Sequence, residues 1–114
     1  MSRTMQITRY NEAPAYEAPG HYDMRCLRLQ GKGATQTDMI WVGLLHLLPG
    51  GHTTMKEAAV EKIYIVVTGE VTIETAGETA RLGVLDSCRL APGEARVLSN
   101  RTNAPASVLL AMPV

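Results

Sequence analysis

Short apolar segments separated by Gly and Pro turns run through most of this chain, and they limit its fold more than any other feature. Such segments, recurring about every 8–12 residues, are typical of β-sandwiches and small β-barrels. We therefore predict an all-β fold with about eight strands. The predicted strands are Met24–Leu29, Met39–Leu48, Lys62–Thr68, Val71–Ala76, Thr79–Leu82, Ser87–Ala91, Ala95–Ser99 and Ala106–Met112.

The segment Met55–Lys62 leaves two alternatives open. Its Lys, Glu and Ala residues favour a short helix by intrinsic propensity. Glu57 and Glu61 would then form a pair of like charges four residues apart, which is mildly unfavourable. The other alternative is a loop that leads into the strand beginning at Lys62.

Composition and charge exclude several classes of protein. The 114 residues suit one domain, and the 11 basic and 11 acidic residues give a net charge of zero. Because like charges form no runs, we expect no nucleic-acid partner and no membrane partner. Cys26 and Cys88 lie far apart and form no disulfide framework. The sequence has no signal-peptide pattern and no apolar run of membrane-spanning length, so we expect a cytoplasmic protein.

The domain organisation predicted from the sequence is simple. Residues 1–20, with Pro14, Pro19 and Gly20, are expected to form an irregular N-terminal arm, and residues 21–114 a single β-barrel domain. The chain has no Phe, so its core must be built from aliphatic residues and is modest for a monomer. Met39–Leu48 is apolar on both faces. We therefore expect a homodimer in which one face closes the barrel and the other packs against a second copy.

Two motifs between Pro49 and Asn100 resemble the two sequence motifs of the cupin family. The first motif has a Pro-Gly turn followed by a strand that ends in Gly-Glu, and the second contains a Gly, then Pro-x-Gly and a closing Asn. Here Leu85 and Ala91 replace the first Gly and the Pro of the second motif. The residues that carry the resemblance are Gly69, Asp86, Pro92, Gly93 and Asn100. The resemblance implies a cupin double-stranded β-helix, also called a jelly-roll barrel, of the type-2 or RmlC-like kind.

The positions where cupins keep their metal ligands carry other residues here. Lys62 stands where the family has its Glu, and Arg96 where it has the last His. The two remaining His positions fall on Lys56 and Ala58, or on Met55 and Glu57. A divalent ion needs neutral imidazoles or carboxylates, so we expect no metal cofactor.

Basic residues therefore fall where this resemblance implies a ligand pocket. Lys62, Arg96 and Lys56 would repel one another if buried, and an anion must balance them. That anion is either an internal carboxylate, for which Glu57 and Asp86 are candidates, or a small organic anion held by the two-pronged Arg guanidinium. The alternative is that these cations lie in solvent at the barrel mouth.

Three residues are candidates for acid–base chemistry. If Lys62 points into the barrel, Tyr64 and Val66 share its face. A desolvated Lys62 can act as a base, and Tyr64 can donate a proton beside it. His46 is the third candidate because it lies within an apolar strand, although a buried His with ordinary hydrogen bonds is the alternative.

Further candidates are less constrained. Arg89 either lines the pocket or faces solvent, and Trp41 contacts the ligand or packs in the core or at a dimer face. His21 is expected to be exposed in the arm. The functions left open are a metal-independent isomerase, epimerase, tautomerase or lyase, a binding module without turnover, and a metal-dependent cupin enzyme. The last would need ligands drawn from His46, His52, Glu57 and Glu61.

Overall fold

The computed structural model describes residues 5–114, and nearly all of its regular structure is β. A single turn of 3-10 helix, Tyr10–Glu12, precedes the strands. The nine strands are β1 (Ala15–Tyr16), β2 (His21–Gln30), β3 (Ile40–Thr53), β4 (Lys62–Thr68), β5 (Val71–Glu74), β6 (Thr79–Leu82), β7 (Ser87–Leu90), β8 (Val97–Ser99) and β9 (Ala106–Pro113). Within the described residues, no helix is long and apolar enough to cross a membrane.

The strands form one antiparallel sheet that curls into a nearly closed barrel. Its order is β6-β5-β8-β3-β9-β4-β7, and β2 and β1 extend it from β3. Most neighbours in this order are distant in sequence, as in a jelly roll. The predicted all-β jelly-roll barrel is therefore confirmed.

Alternation along β3 decides which side chains fill the barrel. Trp41, Leu45 and Leu47 are buried in the core, whereas Val42, Leu44 and His46 lie on the outer face. Strands β4 and β9 add further inward-facing residues. The core is aliphatic apart from three side chains: Trp41, Tyr64 and Cys26.

A bulge in β2 reverses the alternation of that strand at its beginning. Asp23 adopts a φ of 52°, and the register with β3 shifts at this residue. His21 pairs with the buried Thr53, while Met24 pairs with the buried Leu47. Residues 48–51 of β3 lie opposite the single residue Asp23, and this irregular pairing, called here the bulge at Asp23, places His21 on the same inner face as Met24, which strict alternation would not allow.

Residues 55–61 form a loop, so the loop alternative is correct and the helix is not. Within the loop, Lys56 forms an isolated antiparallel bridge with Arg96, with N–O distances of 3.2 and 3.1 Å in the two directions. The strand β4 then begins at Lys62. This bridge brings the loop over the residues that precede β8.

The arm contributes a short strand of its own. Ala15 and Tyr16 form β1 and pair with Leu27 and Cys26 of β2. The first four residues of the predicted arm lie outside the described residues. The pairing positions Tyr16 at the side of the barrel, with its ring 6.0 Å from that of Trp41.

Candidate functional site

A cleft of about 450 Å³ lies between β1, the start of β2 and the segment that joins them. Tyr16, Met24 and Cys26 line this cleft, and they also contact the apolar core. The full set of lining residues is Ala15, Tyr16, Glu17, Ala18, His21, Met24, Arg25 and Cys26. The cleft therefore lies against the core, and Arg96, Lys62 and Tyr64 are not among the residues that line it.

Arg96 is the most deeply buried charged group of the site, with 4% of its surface exposed. Its Nε donates a hydrogen bond to the Tyr64 hydroxyl at 2.8 Å. Its Nη1 donates to the backbone carbonyls of Lys56 at 3.3 Å and Thr54 at 3.5 Å. These partners are all neutral, so the guanidinium keeps its full positive charge inside the protein.

Lys62 lies beside Arg96 on the inner face of β4. Its burial, together with the positive charges of Arg96 and Lys56, lowers the pKa of its ammonium group from 10.5 to about 8. None of the ion pairs found within residues 5–114 includes these three cations. Lys62 can therefore exchange a proton near neutral pH.

Tyr64 shares the inner face with Lys62, and only 1% of its surface is exposed. Burial raises the pKa of its phenol, although the nearby Arg96 charge and hydrogen bond act in the opposite direction. The hydroxyl oxygen accepts from Arg96, which leaves the O–H proton free to be donated. Tyr64 is thus a proton donor in a fully buried position next to Arg96.

His21 is a further residue of the site, beside Arg96, Lys62 and Tyr64, and the sequence did not indicate that His21 belongs there. Burial and the charges of Arg96, Lys62 and Lys56 lower the pKa of its imidazole, against the effect of a hydrogen bond to Pro19. We expected an exposed side chain, but His21 is partly buried and lines the cleft. The bulge at Asp23 is the physical reason, and a single positive φ has no clear signal in the sequence.

Comparisons with known proteins agree with this architecture. The chain is 41% identical over 106 residues to beta-D-galactosidase Rv1717 of Mycobacterium tuberculosis. The aligned region covers 93% of this chain and 91% of that protein. No protein-family model matches the sequence.

Solved structures show the same fold. The chain superposes on the polyketide cyclase RemF of Streptomyces resistomycificus with a TM-score of 0.85 and 17% identity, over 96% of this chain and 80% of that one. A cupin 2 conserved barrel domain protein of Salinispora arenicola gives a TM-score of 0.78 and 17% identity, and the superposition covers 96% of this chain and 89% of that one. The chain has the cupin fold.

The residues present do not fit the divalent metal ion that the resemblance to the cupin motifs implies. Lys62 and Arg96 occupy ligand positions of the family motifs, and neither cation can bind a metal ion next to the other. Within residues 5–114, no group of three or more His, Cys, Asp or Glu side chains is arranged to hold a metal. The alternative ligands are also dispersed: His52 stacks on Tyr22 and Glu61 pairs with Arg89.

His46 lies on the outer face of this cupin, opposite to its predicted position in the pocket. Its Nε2 is 2.9 Å from the Tyr10 hydroxyl, and its Nδ1 is 2.8 Å from the Ser107 hydroxyl. The inner face of β3 is formed by its odd-numbered residues, so His46 points away from Lys62. Both ring nitrogens have partners there, and the structure does not bring His46 to the cavity.

Arg89 also lies outside the cavity. It is exposed and forms an ion pair with Glu61 at 2.5 Å. Its neighbour Leu90 fills the inner face of β7, so alternation directs Arg89 outward. The solvent-facing alternative describes its position.

Trp41 and the two candidate counter-charges have other surroundings. Trp41 is buried in the core, with the Arg28 guanidinium 5.5 Å from its ring. Glu57 is exposed beside Gly93. Asp86 accepts a hydrogen bond from the Gly83 backbone at 2.8 Å. Neither carboxylate forms an ion pair with the buried Arg96.

Proposed function

We propose that this cupin binds a small organic anion in its barrel and acts on it by acid–base chemistry without a metal. Arg96, Lys62 and Lys56 are the anion ligands. The carrying observation is that Arg96 is almost wholly buried beside the partly buried Lys62 and the exposed Lys56, with no carboxylate partner in the part of the chain that the structure describes. Isomerases, tautomerases and lyases are the reaction classes that this arrangement suits.

The electrostatic argument concerns the cost of burying like charges. A buried cation without a counter-charge destabilises a fold, and two neighbouring cations repel each other as well. A bound carboxylate would remove both penalties. Among the described hydrogen bonds, none uses Nη2 of Arg96, so its donors remain available for a carboxylate.

The acid–base argument concerns Lys62 and Tyr64. Lys62 is largely protonated at pH 7 because its pKa is about 8, and it can deliver that proton to an oxygen that becomes negative during reaction. Tyr64 offers a second proton from a desolvated position. Together they can stabilise an enolate or alkoxide next to the carboxylate that Arg96 holds.

Anion binding is tested by thermal shift and calorimetry with pyruvate, malonate and 2-oxoglutarate. A carboxylate at 100 times its Kd should stabilise the wild-type protein by about 2.7 kcal/mol, a shift of several degrees in Tm. The double variant Lys62→Met with Arg96→Leu should lose this shift. Arg89→Leu is the matched control, because it removes a cation outside the cavity. Equal shifts in all three proteins contradict the proposal.

Metal independence needs its own measurement. Protein purified without a His tag and dialysed against chelator should keep its affinity for the carboxylate probe. Elemental analysis that finds stoichiometric Zn, Fe, Mn or Ni after dialysis overturns this part of the proposal.

Glycoside hydrolysis is a second candidate because the 41%-identical relative is named a beta-D-galactosidase. Most such enzymes use two carboxylic residues on either side of the scissile bond. Glu17 is a carboxylic residue that lines the cleft, but the charged residues around Lys62 are the cations Arg96 and Lys56. Turnover of an aryl β-D-galactoside that is lost in Glu17→Gln and kept in Arg96→Leu favours this second function over the first.

We also propose that the protein is a homodimer. The outer faces of β3, β4 and β9 form one apolar patch, which brings together Val42, Leu44, Ile63, Ile65, Leu109 and Ala111. Ile63 is 40% exposed at this patch. Sedimentation should give a dimer at micromolar concentration, and Ile63→Lys should dissociate it. A wild-type monomer contradicts the proposal.

A further inference from the structure

The hydrogen bond of His21 fixes which of its ring nitrogens carries the proton. Nδ1 lies 3.1 Å from the Pro19 backbone carbonyl, and a carbonyl oxygen can only accept a hydrogen bond. Nδ1 therefore carries the hydrogen, and Nε2 of the neutral ring has a free lone pair. Among residues 5–114, no hydrogen bond uses Nε2.

The surroundings of His21 keep the ring neutral and next to the anion site. His21 pairs with Thr53, and the carbonyl of the next residue, Thr54, accepts a hydrogen bond from Arg96 at 3.5 Å, so the backbone brings His21 close to Arg96. Burial first, and then the charges of Arg96, Lys62 and Lys56, lower the pKa of the imidazole. The bulge at Asp23 turns the ring to the inner face, where it lines the cleft. A neutral imidazole with a fixed tautomer and an open nitrogen is suited to accept a proton.

We propose that Nε2 of His21 is the proton acceptor of this cavity and that its substrates are 2-oxo acids with a C–H bond next to the carbonyl. This inference rests on the proposed anion site. Arg96 holds the carboxylate, while Lys62 and Tyr64 donate hydrogen bonds to the carbonyl oxygen. This arrangement separates the proton acceptor from the donors, as proton transfer between carbon and oxygen requires.

The proposed step is a keto–enol tautomerisation. The C–H bond breaks, its proton moves to Nε2 of His21, and its electron pair forms the carbon–carbon double bond. The carbonyl π pair moves to oxygen, which takes a proton from Lys62 and becomes an enol hydroxyl. The reverse transfers restore both residues, so no oxidant, reductant or co-reactant is needed.

Exchange of carbon-bound hydrogen for solvent deuterium measures this step directly. Pyruvate, 2-oxobutyrate and 2-oxoglutarate are incubated with the protein in D₂O and followed by proton NMR against a protein-free sample. His21→Asn is the matched variant, because its amide can still donate to the Pro19 carbonyl while offering no basic nitrogen. Wild-type protein should accelerate exchange for at least one probe, and His21→Asn should bind that probe but exchange it about 100-fold or more slowly.

Each outcome separates this inference from the anion site on which it rests. A probe that binds wild-type protein without exchange, or that His21→Asn exchanges as fast, overturns the role of His21 and leaves anion binding intact. If no probe binds, the anion site fails for this class of ligand, and the inference fails with it. Nitrogen-15 NMR gives a readout without ligand: His21 should have its hydrogen on Nδ1 at pH 7.5, and a hydrogen on Nε2 overturns the assignment.

Discussion

The two ends of β8 carry buried polar groups of opposite character. Asn100, which follows the strand, is 1% exposed and uses its whole amide: Nδ2 donates to the Leu47 and Ala104 carbonyls at 3.1 and 2.8 Å. Its Oδ1 accepts from the backbone and the hydroxyl of Thr102 at 3.0 and 2.8 Å. Asn100 therefore links the turn after β8 to strand β3 through hydrogen bonds.

Arg96, which precedes the same strand, is buried to a similar degree but has only neutral partners. A buried polar group that is fully hydrogen-bonded supports the fold. A buried charge without a counter-charge destabilises it. We infer that the Asn100 end of β8 serves stability and the Arg96 end serves binding, although both residues stand at positions of the family motif.

Asn100→Ala should produce the largest loss of stability. The substitution removes the donor to the buried Leu47 and to Ala104 and also the acceptor of the Thr102 backbone N–H, and we expect a loss of about 3 kcal/mol in the free energy of unfolding. Urea denaturation measures it, and Asn103→Ala, at an exposed position of the same turn, is the control with little expected change. A loss below about 1 kcal/mol would contradict the inference that Asn100 serves stability.

The contrast also explains what the sequence could predict. Strands were predictable because alternation and Gly/Pro turns are local signals, as at Lys62–Thr68, which matches β4 residue for residue. The sequence predicted that Lys62 and Tyr64 share one face, and it left open whether Lys62 points into the barrel or lies in solvent at its mouth. These features depend on neighbours within a few residues of one another.

Residues of the site that depend on irregular backbone or on the choice of face were not predictable. His21 joins the cavity through the bulge at Asp23, which inverts the parity of β2. His46 lies in a strand that is apolar on both faces, so composition gave no reason to prefer the odd-numbered residues as the inner set. Only the pairing of β3 with β2 and β9 determines that choice.

Arg96→Met should separate binding from stability. The variant loses the hydrogen bonds to Tyr64 and to two carbonyls, but it also relieves the repulsion with Lys62. We expect the free energy of unfolding to change by about 1 kcal/mol or less, with loss of stabilisation by carboxylates. A variant as unstable as Asn100→Ala contradicts the distinction between the two ends of β8.

Lys62→Met should raise the stability of the ligand-free protein, and the gain should depend on pH. The folded protein releases the Lys62 proton near pH 8 and the unfolded chain near pH 10.5. Between these values the unfolded state binds more protons, so the contribution of Lys62 to stability rises with pH. The penalty is complete below pH 8. The variant should therefore melt a few degrees above wild type at pH 7, with a smaller difference at pH 9.5.

The control for this third prediction is Lys32→Met, which removes an exposed Lys outside the cavity. Its melting temperature should follow that of wild type at both pH values. A difference between Lys62→Met and wild type that stays constant from pH 7 to pH 9.5 contradicts a lowered pKa for Lys62.

Arg89→Leu should have the smallest effect. Arg89 and Glu61 are about half exposed, and water weakens their attraction, so breaking the pair should change stability by about 0.5 kcal/mol or less. Carboxylate binding should be unchanged, because the lost charge lies on the outer face. Calorimetry at two ionic strengths measures both effects. If Arg89→Leu weakens anion binding as much as Arg96→Met, then net charge rather than burial controls binding, and the proposed role of the buried Arg96 is contradicted.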